Sequence, residues 1–165
     1  MALEEDYIEK SDREITEKLL CSMEYRCAST VFVYVSSGNE PNTIPIIEHA
    51  LSHGKTVCVP LCEDAHTMSA RMVTRVTALE IGAFGIFAPP KNAVVIPPSK
   101  IDLCIVPCVA ADRNCNRLGH GRGYYDNFLR NCRAKKLLLC RKKLVFEAIN
   151  TDSQDIKCDR LITDN

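Results

Sequence analysis

Between Asn116 and Cys132 the chain reads NRLGHGRGYYDNFLRNC, in which Gly119, Gly121 and Gly123 alternate with His120 and Arg122, Arg117 and Leu118 stand just ahead, and Tyr124, Tyr125 and Asp126 follow. Glycines at this spacing let a backbone approach a ligand closely, and guanidinium groups recognise oxyanions through paired N–H donors. Where such a loop opens a helix, unpaired amides and the positive end of the helix dipole both face an incoming phosphate. Asp126, three residues after Gly123, falls in the first helical turn, where a carboxylate can hold a magnesium ion against those phosphates. The same residues also read as a tight structural turn and a helix N-terminal acid favoured by the dipole. The run G-x-G-x-G matches neither the dinucleotide fingerprint nor the P-loop, so spacing alone leaves phosphate binding and a structural turn level.

The flanking segments say what must position this loop. DLCIVPCVA ahead of it reads as a buried strand and YYDNFLRNCRA after it as an amphipathic helix. Near the start, EEDYIEKSDREITEKLLCSMEYR carries Ile8, Ile15, Leu19 and Met23 on one helical stripe. STVFVYVSS is continuous, β-branched and aromatic, as suits a strand buried on both faces, and GNEPNT reads as a turn. In TIPIIEHALSHG, Thr43 is placed to cap a helix, Pro45 falls in its first turn and Gly54 sits where helices end. KTVCVPLC is a second buried strand, and strand, helix, strand is the order of a right-handed crossover in a parallel sheet. HTMSARMVTRV predicts a short strand, TALEIGAFGIFAPP a helical turn leading into a loop, KKLLLC a short strand, RKKLVFEAI a turn or short helix, and CDRLITD a final edge strand. The pattern predicts one α/β domain spanning residues 1–165.

Composition narrows the function classes. At 165 residues, 46% hydrophobic and 25% charged, the chain is the size of one ordinary domain with a substantial core. No apolar run is long enough for a membrane span, and the acidic start MALEEDYIEK lacks the features of a secretion signal, so a cytoplasmic protein is expected. Basic and acidic residues balance at 21 each, but residues 1–24 hold eight acids against three bases, whereas 113–143 hold ten bases and only Asp126. That basic half can meet phosphate, or be a solvated surface. RNCRAKKLLLCRKK lacks the interleaved aromatics of a stacking platform, so nucleic acid is not an expected partner. The ten cysteines form no C-x-x-C pair and are read as small reduced core residues in preference to zinc ligands or disulfides; His49, His53, His66 and His120 form no ligand motif with them.

NRLGHGRGYYDNFL, preceded by DLCIVPCVAAD, resembles the signature of the 5-formyltetrahydrofolate cyclo-ligase (5,10-methenyltetrahydrofolate synthetase) family, a long and specific motif. The similarity extends to VYVSSGNEPNT, GKTVCVP, AFGIFAPP and SQDIKCDRLITD, over most of the chain. It implies a Rossmann-like three-layer α/β/α fold with a mostly parallel sheet, and ATP- and Mg2+-dependent conversion of 5-formyltetrahydrofolate to 5,10-methenyltetrahydrofolate by a monomer. It further implies that Arg117, Leu118, Gly119, His120, Gly121, Arg122, Gly123, Tyr124 and Asp126 bind ATP. Arg117 and Tyr125 would be catalytic, Glu40, Phe84, Tyr124 and Tyr125 would contact the folate, and Asp126 with Asp155 would hold magnesium. From the residues alone, one of the two tyrosines is expected in the core, Glu40 reads equally as a solvated turn acid, and Phe84 as a buried core residue. Cys108, Cys115, His120 and Leu144 depart from the family pattern at positions usually held by glycine, glycine, arginine and glutamine. The family's opening helix, with a lysine and an arginine that reach the phosphates, has no counterpart ahead of ASTVFVYVSS, because Lys10 and Arg13 fall too close to that strand. This helix is expected to be shortened or missing, and the alternative function is a catalytically impaired paralogue that binds folate or nucleotide.

Overall fold

The computed structural model describes residues 2–165. Helix α1 (Glu5–Cys21) buries Ser11, Ile15 and Leu19. The apolar stripe was expected to run on through Met23, but the chain turns extended at Ser22, whose hydroxyl accepts from the Tyr25 amide and caps a separate short helix, α2 (Met23–Cys27). The break re-aims the side chains, so Met23 is 64% exposed and Tyr25 takes the inward position.

Strand β1 (Thr30–Val33) is followed by a turn and then by α3 (Ile44–Ser52). Thr43 occupies the N-cap position of α3 without capping it. Its hydroxyl donates back to the Tyr34 carbonyl at 2.6 Å, and Asn42 Oδ1 accepts the Ile44 amide at 3.1 Å in its place. Past the end of α3, Gly54 adopts φ +73°, a conformation that glycine takes without strain. Strand β2 (Thr56–Cys62) then pairs parallel with β1, completing the crossover, and β3 (Met68–Val73) returns antiparallel. The segment expected as a helical turn forms a 3-10 turn at Val76–Ala78 and then a two-stranded ribbon of β4 (Glu80–Ile81) and β5 (Phe87–Ala88), joined by a second 3-10 turn at Ala83–Gly85. β6 (Val95–Ile96) adds to the edge of the main sheet.

The stretch DLCIVPCVA divides where one strand was expected. β7 (Leu103–Val106) lies in the main sheet, while β8 (Ala110–Asp112) joins a smaller sheet with β9 (Arg117–Leu118). Pro107 between them has no N–H to continue the ladder. Helix α4 (Tyr124–Arg130) and β10 (Lys135–Leu139) come next. RKKLVFEAI then forms a 3-10 turn at Lys142–Leu144 and β11 (Val145–Phe146), which extends the smaller sheet, and β12 (Arg160–Ile162) closes the chain at the edge of the main one, as expected.

The main sheet has seven strands in the order β12-β10-β7-β1-β2-β3-β6, parallel from β12 to β2. Ile15 and Leu19 of α1 and Ile46, Ile47 and Ala50 of α3 cover one face, against Val31, Val33, Leu103, Ile105 and Leu137. Phe128 and Leu129 of α4 cover the other, with Phe32, Cys104, Val106 and Leu138. These are the three α/β/α layers implied by the sequence, and the continuous apolar runs of β1, β7 and β10 follow from burial on both sides. Among the described residues no helix is long and apolar enough to cross a membrane.

One carboxylate aligns the start of the central strands. Asp102 Oδ2 accepts the amides of Ser29 and Thr30, both at 2.9 Å, and so clamps the start of β7 to that of β1. Asp102→Ala should lower the unfolding free energy by about 1–2 kcal/mol, the range for hydrogen bonds to a charged acceptor at a solvent-accessible site, read as a lower urea midpoint with an unchanged slope.

Candidate active site

Parallel strands β1, β2 and β7 end on the same edge of the sheet, the edge at which ligands bind in open α/β folds. The segments that leave it carry Glu40 after β1, Asp64 after β2 and, by way of β8 and β9, the glycine loop. Gly121 and Gly123 have φ of +81° and +74°, so side chains there would be strained whatever the space around them.

Arg117 lies beneath this loop with its side chain only 6% exposed. Its Nη2 donates to Asp126 Oδ1 at 2.7 Å, and its guanidinium stands 5.8 Å from the centre of the Tyr125 ring. The buried Nε has no hydrogen-bond partner among the described residues. A buried guanidinium that is not fully paired is costly unless an acceptor arrives, and its planar fork suits an oxyanion. Asp126 Oδ1 also accepts the Ile156 amide at 2.9 Å, which draws the closing segment beside α4. Asp155, adjacent in the chain, accepts the Asp152 amide at 2.9 Å and so shapes that segment. Among the described residues no three His, Cys, Asp or Glu side chains gather closely enough to hold a metal by themselves.

The remaining candidates surround the loop. Glu40 Oε2 accepts the Ser37 amide at 2.8 Å, and its Oε1 lies 3.5 Å from His120 Nε2, which joins the glycine loop to the turn after β1. Burial pushes the Glu40 carboxyl above its ordinary range, against the opposing pull of the Ser37 amide and His120. Glu40 is thus a largely buried group and not the solvated turn acid that the sequence also allowed. Arg122 lies over the Phe84 ring at 4.0 Å, joining the loop to the β4–β5 ribbon. Phe84 is 57% exposed with φ of 61°, which overturns the reading of it as a core residue. Of the two tyrosines, Tyr125 packs toward the core, 6.3 Å from the Phe32 ring, while the Tyr124 hydroxyl donates to the Asp64 carbonyl at 2.8 Å. Burial, reinforced by the charge of Glu40, pushes the Tyr125 hydroxyl well above its ordinary pKa, so it stays protonated and able to donate at neutral pH. Leu118, at the end of β9, is half exposed beside the loop.

The 5-formyltetrahydrofolate cyclo-ligase family model matches residues 1–164. The chain belongs to this family. It is 31% identical to the probable 5-formyltetrahydrofolate cyclo-ligase of Schizosaccharomyces pombe, with 98% of this chain and 87% of that protein covered. It is 30% identical to the 5-formyltetrahydrofolate cyclo-ligase of Haemophilus influenzae, with 78% and 71% covered. Among solved structures, the Aquifex aeolicus 5,10-methenyltetrahydrofolate synthetase superposes with a TM-score of 0.85 at 28% identity, covering 98% of this chain and 81% of that one. The Mycoplasma pneumoniae 5,10-methenyltetrahydrofolate synthetase gives a TM-score of 0.80 at 20% identity, covering 99% and 91%, a likeness of fold. The resemblance first seen in the glycine loop therefore extends over the whole chain, and the protein is an enzyme of the cyclo-ligase class.

Within this cyclo-ligase the sequence reading missed Arg141, which it had counted with the basic surface. Arg141 is 1% exposed. Its Nε donates to the Asn39 carbonyl at 3.0 Å, its Nη2 to the Glu40 carbonyl at 3.1 Å and its Nη1 to the Ile8 carbonyl at 3.1 Å. Nη2 also pairs with Asp12 Oδ1 at 2.8 Å. One buried guanidinium thereby fixes the turn that presents Glu40 and ties it to α1. The available signal was position, since Arg141 ends the run LLLC just where a buried strand reaches the sheet's functional edge.

Arg141→Ala should destabilise the fold by about 3–5 kcal/mol in urea unfolding, because it strands Asp12 and three carbonyls. Glu40→Gln should act in the opposite direction. The folded protein holds the Glu40 proton more tightly than the unfolded chain, so ionised Glu40 costs stability once pH rises through its raised pKa, and the cost disappears below the ordinary carboxylate range. The amide variant should therefore be the more stable protein at neutral pH and equal to the parent in acid, as read by thermal midpoints across that range.

Proposed function

We propose that this protein converts 5-formyltetrahydrofolate to 5,10-methenyltetrahydrofolate at the expense of ATP, with magnesium. The observation that carries the reading is the buried, incompletely paired Arg117 guanidinium beneath a glycine loop whose backbone requires positive φ. Phosphoryl transfer asks the protein mainly for position and charge stabilisation, and this corner offers both. In the proposed reaction the formyl oxygen accepts the γ-phosphoryl group, the neighbouring folate nitrogen attacks the activated carbon, and phosphate leaves.

The residues divide the work. Arg117 would turn its unpaired donors on the transferring phosphoryl oxygens, while the amides of Gly119 to Gly123, with Leu118, His120, Arg122 and Tyr124, line the rest of the triphosphate. Glu40, held in place by Arg141, would accept from the paired N–H groups of the pterin; its His120 contact must open when they arrive. Phe84 would lie along the folate, and protonated Tyr125 would donate to an oxygen at the reacting centre. Magnesium supplies charge neutralisation when bound. The donor set fits it, because Asp126 Oδ2 makes no hydrogen bond among the described residues and Asp155 adjoins Asp126 through Ile156, and magnesium characteristically uses one or two carboxylates together with phosphate oxygens.

Purified protein mixed with magnesium, ATP and 5-formyltetrahydrofolate should generate the near-ultraviolet absorbance of the methenyl product. No signal at high enzyme concentration overturns the reading, and ATP or folate binding without turnover would point to a catalytically impaired paralogue. Given activity, Arg117→Ala and Asp126→Asn should each lower kcat by about 10²-fold or more while the circular dichroism spectrum stays unchanged; near-normal rates would refute the two assignments.

A further inference from the structure

Six of the ten cysteines are buried, and all six lie on the face of the sheet that α4 covers. Two of them touch. The Cys104 and Cys132 sulfurs are 3.5 Å apart. Cys104 stands in the middle of β7, beside Phe32 of β1 and Lys136 of β10, and Cys132 lies in the short connection from α4 to β10.

The surroundings of Cys132 favour its thiolate. A thiolate there accepts from the Cys104 S–H and the Ala134 amide and faces the Lys136 ammonium, so its pKa is held below the ordinary thiol range despite burial, while the same contact pushes Cys104 up. The Lys136 ammonium is fixed in place by the Cys132 and Ala134 carbonyls, each at 3.0 Å. Cys132 is 5% exposed, but its sulfur sits 3.7 Å from the Pro98 carbonyl, and Pro98, Phe128 and Asn131 line a surface groove of about 260 Å³ between α4 and the strands β3 and β6. The Cys108–Cys140 pair differs in its surroundings: their sulfurs donate to the Leu139 and Arg141 carbonyls at 3.4 and 3.5 Å, and the mutual contact and burial push the Cys108 thiol up, whereas Cys132 has the Lys136 ammonium beside it.

We propose that Cys104 and Cys132 form a peroxide-oxidisable pair, with Cys132 the attacking sulfur and Cys104 the resolving one. The Cys132 sulfur attacks the outer oxygen of a hydroperoxide, the O–O bond breaks, and the thiol proton leaves with the departing oxygen as alcohol or water, giving a sulfenic acid. The Cys104 sulfur then attacks the sulfenic sulfur, an S–S bond forms, and the hydroxyl departs with the Cys104 proton as water. Two thiols are oxidised by two electrons and one peroxide is reduced by two. The sulfurs must close from 3.5 Å to about 2.05 Å. The bond ties residues 104 and 132 into a covalent loop that contains β8, β9, the glycine loop and α4.

The test uses the full chain with exposed Cys21 and Cys27 replaced by serine, treated with hydrogen peroxide and digested without reduction. Mass spectrometry should find a Cys104–Cys132 cross-linked peptide lighter by two hydrogens and restored by dithiothreitol. With Cys104→Ser the cross-link should be lost and dimedone should label Cys132; with Cys132→Ser both signals should vanish. Cross-links among other cysteines, or sulfenic acid at Cys104 in preference to Cys132, would overturn the proposal. Should either serine variant fail to fold, native-state alkylation decides. Iodoacetamide should modify Cys132 at least tenfold faster than Cys108 or Cys140 near neutral pH, and equal rates would refute the assignment.

Discussion

The contact between Arg117 and Asp126 determines how this corner of the protein is arranged. At 2.7 Å and largely buried, it joins β9 to the first turn of α4, and through the Ile156 amide it fixes the closing segment as well. Removing either partner would leave the other uncompensated in a poorly solvated place. Three stretches of chain thus meet on one carboxylate oxygen, while the guanidinium keeps donors in reserve. An ion pair of this kind is weak evidence for stability, and its incomplete satisfaction is the feature on which the proposed phosphate contact rests.

Arg141 plays the corresponding part in the turn that follows β1. It satisfies three carbonyls and one carboxylate, and a side chain with five donors in a rigid plane can hold several loops at once where lysine cannot. Glu40 consequently sits in a turn held by Arg141, and Arg117 in β9 held by Asp126. Between them, His120 and Arg122 reach across to Glu40 and Phe84, so the flexible residues of the loop already contact the groups proposed to meet the folate.

Much of this was legible in the sequence, for definite reasons. The buried strands announced themselves through uninterrupted apolar runs, and the crossover through strand, helix, strand. The glycine loop's place before a helix followed from residue types, whereas its importance came from the length of a specific motif. What escaped was set by tertiary contacts. Thr43 had the chemistry of a cap, but the nearer Tyr34 carbonyl took its hydroxyl. Met23 had the right spacing, but Ser22 ended the helix first. Pro107 could have signalled that DLCIVPCVA divides, since proline interrupts a ladder, yet the apolar character of the run masked it. Arg141 was invisible as a buried residue because a cation among cations resembles surface until its partners, a hundred residues away in sequence, are known.

The outermost strands of the main sheet are the shortest it has, two residues in β6 and three in β12. A neighbouring molecule seeking to extend the ladder would find only a few free amides and carbonyls along either border, too few to register another strand firmly. The apolar interior strands, rich in valine, leucine and cysteine, are thus screened from intermolecular zippering by brevity at the margins.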